Sequence, residues 1–77
     1  MELREQMINA ARKHAEAEIE LHKTNIEVYM QKVVGIGEHS DIIETIQKEL
    51  DAMAAADDRL EMLNKYFSAW QEPKYNV

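Results

Sequence analysis

The sequence contains no cysteine. Disulfide staples, thiolate metal sites and thiol nucleophiles are therefore excluded. Only two glycines and one proline occur, too little punctuation for a β-rich or turn-rich fold. Aromatic residues make up 6% of the chain. No apolar run approaches membrane-spanning length, and no charged-then-apolar leader opens the chain. A soluble, cytoplasmic protein with no membrane partner is the expectation.

Hydrophobic residues amount to 45% and charged residues to 31%, the balance of a folded chain rather than a disordered one. Its 77 residues allow one small domain. Nine basic residues face fifteen acidic ones, a net charge of −6. Residues 1–34 hold five basic and six acidic groups, and residues 35–77 four and nine. The acidic second half disfavours phosphate-backbone binding, which relies on clustered lysine and arginine, so no nucleic-acid partner is expected. A basic protein surface is compatible with this charge.

From about Glu2 to about Val34 the apolar residues recur at steps of three and four: Ile8, Ala11, Ala15, Ile19, His22, Ile26, Tyr29 and Val33. This spacing predicts an amphipathic helix. Arg12, Lys13, Glu16, Glu20, Lys23 and Glu27 are expected on its solvent face, with Arg12–Glu16 and Lys23–Glu27 paired four apart. Gly35 and Gly37 then break the pattern. Gly35 suits a left-handed helix end, and Gly37 gives a second free dihedral pair for reversing the chain over residues 35–40. Ser40 or Asp41 is the expected cap of a second helix, with Glu44 completing an Asp-x-x-Glu pattern. That helix is predicted from about Asp41 to about Ala69, on a stripe of Ile43, Ile46, Leu50, Met53, Leu60 and Phe67. Ile42, Ala56, Leu63 and Trp70 run alongside it. Pro73 ends any continuation, leaving residues 71–77 as a tail.

Two helices so joined are predicted to lie antiparallel. Folding at Gly37 brings Ile26 level with Leu50, Ile19 with Asp57 and Ile8 with Phe67. Small residues then face large ones, with Ala15 near Leu60 and Ala56 near Ile19, which lets helices interdigitate. The fold class is all-α: an antiparallel two-helix hairpin that oligomerises into a helical bundle. Each stripe is wider than one seam needs. Met7, Leu21, Val28, Ile42, Leu63 and Trp70 are the expected oligomer interface, since monomers rarely tolerate so broad an exposed patch. A homodimer forming a four-helix bundle is the simplest closure, and a higher ring is an alternative. Asp57 and Asn64 fall at core-like positions. Polar residues there either fix register and oligomer state or sit at the stripe edge as the helical period drifts. The edge position is preferred.

Chemistry finds little purchase. His14, Glu18 and His22 line up four apart, with Asp57, Asp58 and Glu61 expected at a similar level, a weak His/carboxylate metal candidate. His14 and His22 are eight residues apart, about 12 Å along the axis, too far to share one ion. No metal, cofactor or catalytic residue is expected. A hairpin of this size has no concave interior for convergent acid–base groups. Gly35-Ile36-Gly37 follows no strand and reads as a turn rather than a nucleotide loop. Methionines such as Met7 and Met53 read as core filling. Trp70, Tyr66 and Tyr75 either anchor a partner or cover the open end of the hairpin near Arg4.

The stretch Val34-Gly35-Ile36-Gly37-Glu38-His39-Ser40-Asp41-Ile42-Ile43-Glu44, with the preceding Arg4-Glu5-Gln6-Met7-Ile8, resembles small helical proteins of tailed marine bacteriophages, including those of cyanobacteria. The similarity covers most of residues 3–67. The resemblance implies a host cytoplasm or a virion as the setting, and it carries over no catalytic or binding residue. Three function classes follow. A non-enzymatic structural or interaction protein, such as a phage assembly or accessory factor, is preferred. A small acidic regulator binding a host or phage protein is the first rival. An oligomer-interface metal binder or enzyme using His14, His22 or His39 is the second.

Overall fold

A computed structural model describes residues 2–32 and 39–67. Helix α1 spans Leu3–Lys32 and helix α2 spans His39–Tyr66. No strand occurs among the described residues. The termini carry the charges that suit the backbone dipole: Glu5 and Asp41 in the two first turns, Lys65 in the last turn of α2. Ser40 or Asp41 was the expected cap, but α2 begins at His39, so both lie inside the first turn. The Asp41 carbonyl accepts from Thr45 Oγ1 at 2.9 Å, a helical back-bond that satisfies the hydroxyl. The expected turn at Gly35 and Gly37, the end of α1 at Val34, and Trp70, Pro73 and Tyr75 lie outside the described residues.

The helices run antiparallel. Arg12 reaches Asn64, Glu18 meets Arg59, and His22 meets Glu49, so rising numbers on α1 meet falling numbers on α2. These pairs set the register close to that expected from folding at Gly37. Ala15 falls level with Leu60, and Ala56 with Ile19.

Burial identifies the seam. On α1 it follows Ile8, Arg12, Ala15, Ile19, His22, Ile26 and Tyr29, all buried or half-buried. On α2 it follows Ile42, Ile46, Glu49, Met53, Ala56, Leu60 and Leu63. Steps of four and three alternate without interruption along both, the seven-residue repeat of knobs-into-holes packing. Ile8, Ala15, Ile26 and Ala56 are the buried apolar residues, and no large side chain is fully buried among the described residues. The alanines let the backbones approach, while Ile8 and Ile26 fill the space to either side.

The α2 stripe differs from the expected one. Ile43 and Leu50 were placed in the seam, yet they are 55% and 42% exposed. Ile42 and Leu63, expected on an outer oligomer face, are half-buried within the hairpin. A shift of one residue turns a helix by about 100°, which suffices to exchange these rows. Arg12 was placed on the solvent face and is instead half-buried in the seam. The molecule measures 58 × 26 × 12 Å. Its thickness is that of one helix with side chains, so it is a single layer with two broad faces.

Candidate functional site

The seam of a two-helix hairpin should be apolar, yet polar side chains interrupt it at three levels. Each level recruits a partner from the opposite helix, because a half-buried polar group left unpaired is costly.

The middle level is the least exposed. His22 and Glu49 both occupy seam positions, and their side chains are 19% and 18% exposed. His22 Nδ1 stands 2.7 Å from Glu49 Oε1. An ionised carboxylate only accepts, so Nδ1 carries the proton and donates. Asn25 Nδ2 donates to the same oxygen at 3.1 Å. The hydrogen bond from His22, then that from Asn25, holds the Glu49 carboxyl below its ordinary pKa; burial opposes them and the His22 charge adds a smaller lowering. Donors that favour the ionised form have this effect.

Toward the free end, Arg12 donates from Nε to Asn64 Oδ1 at 2.9 Å and from Nη1 to Asn9 Oδ1 at 2.8 Å. Between these two levels, Arg59 meets Glu18, and His14 Nδ1 lies 3.2 Å from the same Glu18 oxygen. This third group is largely exposed and contributes little stability on its own.

The weak metal candidate is thereby divided. Glu18 is engaged by Arg59 and His14, whereas His22 faces Glu49 and Asn25. Among the described residues, no three His, Asp or Glu side chains converge as a metal site. Asp57 and Asn64 are exposed on the seam's edge, Asn64 as the acceptor for Arg12. Met7, Leu21 and Val28 are exposed on α1. Sequence reasoning missed Glu49 and the inward position of Arg12. For Glu49 a signal was present in the four–three spacing through Ile42, Ile46, Met53 and Ala56, which leaves Glu49 for its place in the row; for Arg12 the sequence offered none.

Chemically, the His22–Glu49–Asn25 layer specifies register. Sliding α2 by one seven-residue repeat would set Glu49 against Ala15 or Tyr29 and leave a half-buried carboxylate without its donors. A polar pair at a seam position selects one alignment in this way, at some cost in stability.

The layer also makes an acid-side prediction. Glu49 has a lowered folded pKa, so its contribution is complete above the unfolded value and is lost as pH falls through the folded one. Melting followed by circular dichroism should therefore show a loss of stability in the acid range that is smaller in Glu49→Gln. An unchanged acid slope in that variant would remove Glu49 from the account.

The surface around these groups is open. A shallow hollow of about 660 Å³ is lined by Asp57, Leu60, Glu61, Asn64 and Lys65, apart from the histidines. No helix among the described residues is long and apolar enough to cross a membrane. Compared with protein-family models, curated proteins and solved structures, the chain matches none.

Proposed function

We propose that this chain is a non-enzymatic structural or interaction protein whose working form is a helical bundle of several copies, a dimer being the simplest. The observation that carries the reading is the single-layer hairpin with large apolar side chains on its broad faces. Stable domains bury their elements between at least two layers, and a second copy is the nearest source of a second layer. Register is fixed by paired polar side chains rather than by a large core, which suits a chain whose remaining apolar burial comes from its partner.

The resemblance of residues 34–44 to helical proteins of tailed phages favours an assembly or accessory role there, in the host cytoplasm or the virion. Neighbouring genes for capsid, neck or tail proteins would support that setting, and a position among early genes would support the acidic regulator instead.

Assembly couples folding to concentration. The melting temperature should rise steadily between about 5 and 500 µM chain, by several degrees for a domain of this size. A melting temperature independent of concentration would refute the proposal.

A further inference from the structure

The two broad faces of the hairpin are not equivalent, and we infer that the one marked by the Glu18–Arg59 contact is where a second copy of this chain docks, face to face about a two-fold axis. The inference rests on the assembly proposed above and adds which surface makes it.

Seam geometry assigns the faces. Residues three, four or seven apart share one side of a helix. Met7, Leu21 and Val28 lie on the α1 side that carries Glu18, and Met62 and Tyr66 lie on the α2 side that carries Arg59. The opposite flank, marked by Arg12 reaching Asn9 and Asn64, carries Ile43 and Leu50 on α2. Its α1 half carries Met30, 54% exposed, beyond a charged stretch of Glu16 and Lys23, with Glu20 and Glu27 farther out.

The Glu18–Arg59 face carries large exposed apolar side chains on both helices. Met7, Leu21 and Val28 are 63%, 55% and 44% exposed and share one row with His14, which stands seven residues after Met7 and seven before Leu21. Beside the row is a hollow of about 460 Å³, lined by Ala11, His14, Asp58, Arg59, Met62, Leu63 and Phe67. The row supplies ridges and the hollow a groove, so one surface holds both halves of a self-complementary contact, as a two-fold interface requires. Glu18, at the middle of this face, is already engaged by His14 and Arg59, and Asp58 beside them is exposed. Arg4 and Lys48 lie toward opposite ends of the face, clear of the row's centre.

The area is sufficient. A 30-residue helix is about 45 Å long, and two helices side by side are roughly 20 Å wide. The face thus covers about 900 Å², against about 800 Å² per partner in a standard interface. Docking this face on the opposite one would press Leu21 and Val28 against Glu16, Glu20 and Glu27 and strip water from unpaired carboxylates. The two-fold arrangement avoids that cost and closes at two copies.

The test compares the faces in the full chain. Sedimentation equilibrium is run on the wild type, Leu21→Glu and Ile43→Glu. The expected result is a wild-type dimer, a dissociation constant raised at least about thirtyfold in Leu21→Glu, as for a central interface residue, and little change in Ile43→Glu. The chain has no cysteine, so single substitutions report proximity cleanly. Under mild oxidation at least one of Met7→Cys, Leu21→Cys and Val28→Cys should give a disulfide-linked dimer, and Ile43→Cys should not. This readout stands even if Leu21→Glu fails to fold. A wild-type dimer that is broken by Ile43→Glu and cross-linked only through Ile43→Cys overturns the choice of face while leaving assembly intact. A wild-type chain monomeric at 100 µM overturns both.

Discussion

Ala56→Leu should cost the hairpin about 1–3 kcal/mol, the usual penalty for forcing extra methylenes into a packed site. Ala56 is fully buried and level with Ile19, at a point where the α2 backbone approaches α1. Three more heavy atoms there must displace Ile19 or move the helices apart. Separation would also lengthen the nearby Glu18–Arg59 and His22–Glu49 contacts. Urea denaturation at fixed chain concentration measures the cost, the fixed concentration holding constant whatever the proposed assembly would add to apparent stability. The same change at Ala55, an exposed neighbour, should stay within about 0.5 kcal/mol of the wild type. Equal effects at the two positions would mean that Ala56 is not a close-approach site.

Ile26→Ala should be the most damaging truncation in the molecule, at about 2–4 kcal/mol. Ile26 is one of the few buried side chains and sits one seam step beyond His22. Removing it opens a void beside the polar layer and admits water to the His22–Glu49 hydrogen bond, which weakens when it is no longer shielded. Total stabilities of small domains are only about 5–15 kcal/mol, so the loss should be a large fraction of the whole and lower the melting temperature markedly. Thermal melting with Leu21→Ala as the comparison separates the roles. In an isolated hairpin Leu21 is exposed, and any loss it causes should depend on chain concentration, unlike that of Ile26→Ala. A loss below 1 kcal/mol for Ile26→Ala would contradict the assigned seam.

Much of this architecture is legible in the sequence. The three–four spacing from Ile8 to Tyr29 marks the α1 seam because α1 buries nearly every apolar residue of that series. The paucity of glycine and proline, and the break after Val34, imply two long helices and one reversal. The antiparallel register follows from the position of the break. On α2 the same reasoning drifts by one residue. Paired isoleucines at 42 and 43 and the run from Ala54 to Ala56 offer two nearly equivalent stripes, and hydrophobicity alone favours the one through Ile43 and Leu50. What decides is polar: Glu49 lies inward because His22 and Asn25 of α1 are there to receive it. A pattern of apolar residues on one helix carries no information about a donor on the other. Arg12 illustrates the same limit, since a charged residue is assigned to solvent until Asn9 and Asn64 are seen to surround its guanidinium.

The candidate site was less legible than the fold. His14, Glu18 and His22 share a line on one helix, which suggests a common ligand, but the second helix parts them. Arg59 takes Glu18 and Glu49 takes His22. Spacing along one helix fixes which side chains are neighbours, and only the partner helix fixes which of them interact.

The central claim is that one hairpin is a single layer that must acquire its second layer from another copy. Sedimentation velocity of the full chain between about 1 and 100 µM tests it most directly, because a helical bundle of two chains and a lone hairpin differ twofold in mass. The account predicts a reversible dimer or higher assembly whose fraction grows with concentration. A compact species of one chain across that range, melting cooperatively, would contradict it.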